Sequence, residues 1–314
     1  MKIILSISGG GIRGLIPAII LSEIEELTGK PMSDFCDLIA GTSTGGIIAC
    51  LLSTPDSNCK PAYSARDIVT LYKEFGKTVF ARSWLRKALT LDGLIGTKYR
   101  HQSLELLLRS YFGSVRLSET TTNLLLPAYQ ISGSPSPYFF KTPHAKESTD
   151  SSSNPYLWEC ARSTSAANGY FQPCQLGEHT FLDGGIFANN PALCAYAQAK
   201  NMYGEAEPFV IISIGTGEDL IGYQYHQIQH WGILQWALPF FRQTSISSDS
   251  TINYMLRSLT AHGDTYYRLQ ASLTHETLKM DDVSPENILR LQQAARMVIK
   301  NNRTVLHEIA RLSL

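Results

Sequence analysis

The sequence predicts an α/β fold, a mostly parallel central sheet with helices on both faces. Two segments carry that reading. Lys2 to Ile7 is a short, β-branched strand that runs through the glycines of residues 8–14 into a helix. Asp37 to Ala40 is a second apolar run, followed by the glycine-flanked turn Gly41-Thr42-Ser43-Thr44-Gly45 and then Gly46-Ile47-Ile48-Ala49. Strand, glycine turn and helix, twice in fifty residues, is the repeating unit of a parallel sheet. Its functional groups are expected at the carboxyl ends of the strands.

The remaining elements follow in order. Over residues 15–27, Leu15, Ile16, Ile19, Ile20, Ile24 and Leu27 keep a helical period, and Gly29 is a natural stop. Residues 64–80 form a helix capped by Ser64, with Asp67 in its first turn and Ile68, Leu71, Tyr72, Phe75 and Val79 on its apolar face. Residues 124–131 and 138–141 read as strands joined by the Ser/Gly/Pro turn 132–137. Residues 191–203 and 285–300 read as helices, the second with Ser284 as cap and Pro285 at its first position.

Ser43 stands where a serine hydrolase places its nucleophile, on a sharp strand-to-helix turn with Gly41 and Gly45 on either side. The helix behind it directs free N–H groups at negative charge developing beside the hydroxyl. The loop Gly9-Gly10-Gly11-Ile12-Arg13-Gly14 has the exposed backbone an oxyanion hole needs. Arg13 either holds that loop, meets an acidic head group, or is a solvated first-turn arginine. Gly9, Gly11 and Gly14 also fit the dinucleotide fingerprint, with Asp34 and Asp37 as ribose-binding acids. The oxyanion role is preferred, because the strand that should carry that acid leads instead into Ser43.

A base for Ser43 is less obvious. Eight histidines are present (His101, His144, His179, His226, His230, His262, His275 and His307), none in a purpose-built setting. His226 and His230 have metal-pair spacing, but no acidic motif completes a site. Asp183 ends the apolar run Thr180-Phe181-Leu182, and Gly184 and Gly185 behind it let the chain turn and another loop approach. An α/β-hydrolase with an unidentified histidine stays open as an alternative.

GGGIRG, GTSTGG and DGG in that order resemble the patatin-like phospholipase family. The resemblance implies a three-layer fold, with Ser43 as nucleophile, Asp183 as proton acceptor in a histidine-free dyad, and residues 9–14 as the oxyanion loop. It implies lipid acyl hydrolysis of the phospholipase A or lysophospholipase type, without calcium or any cofactor. A lipid-binding protein that kept the fold without the chemistry is the alternative. The resemblance covers nearly the whole chain. Cys160 to Ala167 with Tyr170-Phe171 looks like the family's helix before the aspartate strand, and Phe209 to Gly217 like its later strand and turn. Met280-Asp281-Asp282 is similar to plant patatins, whereas Gly185 stands where plant patatins carry alanine.

Composition narrows the field. Of 314 residues 44% are hydrophobic, ample for a core, and no linker or repeat divides them. One domain over 1–314 is expected, with core motifs in 1–217 and a helical part in 218–314 packed on it. Residues 148–155 read as a serine-rich surface loop. With 27 basic and 27 acidic side chains and no basic tract, neither nucleic acid nor strongly anionic lipid is the expected partner. Six cysteines without a C-x-x-C pair suggest a reduced, cytoplasmic-type protein. The first strand begins at the start of the chain, so no signal peptide is expected, and no apolar run is long enough to span a bilayer. The aromatic segment Trp231 to Phe241 suits lipid contact, but it lacks opposed basic residues and core or cap packing is the preferred reading.

Overall fold

The computed structural model describes residues 1–80, 96–150, 153–218, 222–260, 263–274, 277 and 279–313. His262, His275 and part of the 148–155 loop lie outside them. One sheet draws its strands from Lys2 to Leu269: β1 (Lys2–Ile7), β2 (Leu38–Gly41), β3 (Asn123–Gln130), β4 (Ser136–Lys141), β5 (Cys174–Leu176), β6 (His179–Asp183), β7 (Phe209–Ile214) and β8 (Thr265–Leu269). The order is β5-β6-β3-β2-β1-β7-β8, with β4 also on β3. The five strands β3-β2-β1-β7-β8 are parallel, and β4, β5 and β6 add antiparallel pairs at one side.

Both faces are covered. Ile3, Leu5 and Ile7 of β1 turn to one side, where they join Leu15, Ile16 and Ile20 of the helix Leu15–Thr28. Ile4 turns to the other and meets Ala195 and Tyr196 of the helix Ala192–Tyr203 and Leu256 of the helix Ile233–Leu259. β1 and β7 are therefore buried nearly throughout and mostly apolar, with Ser6 and Ser213 as buried exceptions, instead of alternating apolar and polar.

The sequence signals hold at several boundaries. The first helix stops at Gly29 with φ 67°. The helix Ala65–Val79 begins at the Ser64 cap, whose hydroxyl accepts the Asp67 N–H at 3.2 Å while the Asp67 carboxylate accepts the Ser64 N–H at 2.9 Å. Ser284 likewise accepts from Asn287 ahead of Pro285–Asn301.

Residues 218–314, expected from the sequence to be a helical part, also supply a strand to the sheet, β8. The run Thr265-Tyr266-Tyr267-Arg268-Leu269 has no regular alternation, since its polar side chains are held by tertiary partners. Cys36, Cys50, Cys160 and Cys174 are buried and unpaired, while Cys59 sits exposed in a turn. Among the described residues, no helix is long and apolar enough to cross a membrane.

Ser64→Ala removes one of two reciprocal cap bonds and is expected to cost about 1 kcal/mol. Urea unfolding would show this as a lower midpoint at an unchanged slope.

Candidate active site

β2 ends at Gly41 and the helix Thr44–Leu52 starts three residues later, so Ser43 makes the turn alone, at φ 55° and ψ −121°. Positive φ on a residue with a side chain costs about 1–3 kcal/mol and persists only where neighbours impose it. They do so here. The Ser43 N–H donates to Thr164 Oγ1 at 3.1 Å, and that hydroxyl donates to the Pro127 carbonyl at 2.6 Å. Thr42 Oγ1 donates to the Ala188 carbonyl at 2.6 Å. Gly45 lets β1 press against the turn, since a methyl there would stand 2.2 Å from the Ile7 carbonyl oxygen.

Asp183 reaches Ser43 through a peculiarity of β3. Leu125 pairs with Ala40 of β2 on one edge and with Lys141 of β4 on the other. Three residues on, Ala128 pairs with Asp183 of β6 and again with β4, at Tyr138. Hence β2 and β6 occupy the same edge of β3, end to end. β2 runs parallel to β3 and β6 antiparallel, so their carboxyl ends point at each other. Ser43 follows one end and Asp183 is the other.

The Asp183 side chain is only 7% exposed, whereas Ser43 is half-buried and reaches the surface. Burial pushes the Asp183 carboxyl up to about 6, against the opposing pull of the Ser43 hydroxyl, the Gly185 N–H and the Arg162 charge. The Gly185 N–H donates to Asp183 Oδ1 at 2.7 Å. Among the described residues no histidine hydrogen-bonds to Ser43 or Asp183. His226 and His230 are exposed.

The glycine loop lies against the same serine, for a methyl on Gly9 would fall 3.2 Å from Ser43 Cβ. Not all of its predicted donors are open. The Gly9 N–H is spent on the Asn189 carbonyl at 3.0 Å, Ile12 on Met280 at 2.8 Å and Arg13 on Gly10 at 3.2 Å, while Gly14 closes the 3-10 turn Gly11–Gly14. Among the described residues the N–H groups of Gly10 and Gly11 meet no acceptor, and neither does that of Thr44 at the head of its helix, where the first amides lack intrahelical partners. Arg13 fastens the loop, donating from Nε to the Gly10 carbonyl and from Nη1 to the Gly217 carbonyl, each at 3.3 Å. The dinucleotide alternative loses its acid: Asp37 lies at the amino end of β2, its carboxylate accepting from Lys2 Nζ and the Ile3 N–H, each at 2.8 Å.

Several supporting residues carry no sequence signal of their own. Thr216 Oγ1 donates to the Gly9 carbonyl at 2.6 Å. Beneath the loop, Asp249 Oδ1 accepts from Asn190 Nδ2 at 2.7 Å and from Arg268 Nη2 at 2.9 Å. Arg268 Nη1 in turn donates to Ser213 Oγ at 2.9 Å and Ser8 Oγ at 3.3 Å. Only Thr44, as the residue after the serine in an elbow, could have been found from pattern alone. The others come from segments scattered between Ser8 and Arg268.

Asp183 binds its proton more tightly folded (about 6) than unfolded, where a free aspartate titrates near 3.9. Its burial is harmless below the unfolded value and costs stability as pH rises through the folded one. Asp183→Asn keeps the shape and should stabilise the fold by up to about 3 kcal/mol above pH 7, an upper bound from the size of the shift. The gain should close below pH 4, which thermal melts of both proteins across pH would show.

The comparisons agree with the motifs. The sequence model of the patatin-like phospholipase family matches residues 5–196. Patatin-like protein 2 of Oryza sativa subsp. indica is 31% identical over 348 residues, covering 96% of this chain and 84% of its own length. Probable inactive patatin-3-Kuras 1 of Solanum tuberosum is 28% identical over 336 residues, covering 96% and 87%. VipD from Legionella pneumophila, a solved structure, is 12% identical with a TM-score of 0.38, covering 96% of this chain and 67% of that one. With glycine loop, serine elbow and aspartate strand meeting in the order its motifs require, the chain belongs to the patatin-like phospholipase family.

Proposed function

We propose that this chain is a lipid acyl hydrolase of the phospholipase A or lysophospholipase type, with Ser43 as nucleophile and Asp183 as general base. One observation carries the reading: a half-buried serine whose hydroxyl acts on a buried carboxylate with its pKa raised to about 6. A free aspartate near 3.9 is a weak base, and burial brings this one closer to a working pH while leaving it ionised at pH 7–8.

Ser43 Oγ attacks the acyl carbonyl carbon as its proton passes to Asp183. The carbonyl oxygen takes up the negative charge and is met by the N–H groups of Gly10, Gly11 and Thr44. The tetrahedral species collapses, the alcohol leaves with the proton from Asp183, and the acyl group stays on Ser43. Water then gives a proton to Asp183 and attacks the acyl-enzyme, releasing fatty acid as the proton returns to Ser43. Ile186, three residues after Asp183 and exposed, is the side chain proposed to touch the acyl chain. The substrate is a phospholipid or another acyl-ester lipid, and no metal or cofactor takes part.

The second reading is a lipid-binding protein without turnover. It is favoured by one relative being named as probably inactive. A fluorophosphonate probe, with the adduct mapped by mass spectrometry, separates the two. The hydrolase reading expects labelling at Ser43 that weakens in Asp183→Asn. A well-folded protein that takes no label supports the silent reading.

On a short-chain ester, Ser43→Ala should abolish turnover. Asp183→Asn should lower kcat by about 100- to 10,000-fold, the range for losing a general base. The kcat/KM of the unaltered enzyme should rise with pH through about 6 and then level, as Asp183 loses its proton. A profile that keeps climbing past pH 8 would point to a different base.

A further inference from the structure

The helix Ile233–Leu259 joins the parallel strands β7 and β8, so it runs from the carboxyl edge of the sheet back towards the amino edge. It is far longer than the sheet is deep. Its 27 residues span about 40 Å at 1.5 Å each, against about 20 Å for the six residues of β7. Asp249 shows where the surplus lies, because its bonds to Arg268, near the end of β8, and to Asn190 set it level with the carboxyl edge. The sixteen helical positions before Asp249, about 24 Å of helix, therefore reach past that edge, at the end of the sheet that holds Ser43 and Asp183. The helix also packs on Gly185–Ala188, the turn beside Asp183.

At the tip of this arm is an aromatic cluster. Trp231 packs edge-on against Tyr223 at 5.0 Å and against Trp236 at 5.2 Å. Ile233 is 89% exposed and Tyr225 77%. Core or cap packing, the preferred expectation for Trp231 to Phe241, does not describe Ile233, while Trp231 and Trp236 are half-buried against each other. Between Asp219 and Arg242 the chain has no Asp, Glu, Lys or Arg.

We propose that the Tyr223–Trp236 tip is an interfacial anchor that seats the carboxyl edge of the sheet on a zwitterionic phospholipid surface. Tryptophan and tyrosine settle at head-group depth, an apolar body inward and a polar tip outward. Ile233 supplies the apolar point that enters the acyl boundary. A charge-free tip matches a surface without net charge, whereas binding to anionic lipid would require the Lys/Arg cluster that is missing here. The choice of lipid as occupant rests on the acyl-hydrolase reading, in which the anchor brings the dyad to its substrate.

The test uses the full chain carrying Ser43→Ala, so that vesicles survive, with phosphatidylcholine vesicles in a co-sedimentation assay and with tryptophan emission as a second readout. The expected result is partitioning that hardly changes with salt, with a blue shift. Ile233→Asp, and separately Trp231→Ala with Trp236→Ala, should each lower partitioning at least tenfold, while Leu106→Asp, at a well-exposed leucine elsewhere, should not. The side chain at 233 is in solvent, so that variant tests the surface without threatening the fold.

Equal partitioning of Ile233→Asp and Leu106→Asp overturns the proposal. So does binding that appears only with anionic lipid and vanishes in salt. A dimer that Ile233→Asp dissociates without changing vesicle binding overturns it too, by making the tip a contact between copies. A water-soluble short-chain ester, tested on protein that retains Ser43, keeps this question apart from the chemistry. Vesicle binding without ester turnover strikes at the hydrolase reading alone, and turnover with tip-independent vesicle binding strikes at the anchor alone.

Discussion

The meeting of Ser43 and Asp183 depends on how one strand divides its edge. β3 gives the first half of that edge to β2 and the second half to β6, which comes from the opposite direction. Two strands that meet carboxyl end to carboxyl end leave no room for a long loop at either terminus. One chain must turn away sharply at Ser43 and the other at Gly184. The positive φ of Ser43 and the close pass of Gly184 over Pro127, where a methyl would stand 2.3 Å from the carbonyl oxygen, both follow from this crowding.

Such a junction carries costs, and the surrounding bonds show how they are met. Ser43 holds a strained backbone, and Asp183 keeps a carboxylate out of water. Against these stand several short-range ties: Thr42 to Ala188, Ser43 to Thr164, Thr164 to Pro127, Gly9 to Asn189 and Thr216 to Gly9. Each is worth about 1 kcal/mol net, comparable with the strain. The ties are almost all backbone to small hydroxyl or backbone to backbone. That fixes the reacting atoms to the frame of the sheet instead of to long side chains, which is what preorganised donors require.

A second layer of polar groups connects this frame to the far side of the sheet. Ser8, Asn190, Ser213, Asp249 and Arg268 lie in one hydrogen-bonded cluster, beneath the start of the glycine loop and the end of the aspartate turn. Charged groups at such depth are tolerated when paired and are costly to leave alone. Through Asp249 the cluster also sets the height of the helix Ile233–Leu259 against the sheet. The position of the candidate active site and the reach of the aromatic tip are thereby tied to one buried ion pair.

Much of the architecture was legible in the chain because it is written in local chemistry. Gly29 stops a helix through its left-handed backbone, Ser64 and Asp67 cap another, and glycines on either side of Ser43 mark a turn, all within a few residues. The three motifs were legible for the same reason, and so were the residue types at positions 43 and 183. What the tertiary structure decided were the long-range choices. Only register on β3 shows that Asp183 faces Ser43. Only folding shows that Asn189 and Met280 consume the amides of Gly9 and Ile12, while those of Gly10, Gly11 and Thr44 meet no acceptor among the described residues. The raised pKa of Asp183 depends on burial by distant segments, and β8 on a tyrosine- and arginine-bearing run whose partners are remote in sequence. Local backbone preference can be read from neighbours along the chain. Burial, strand register and the sharing of hydrogen bonds are properties of neighbours in space.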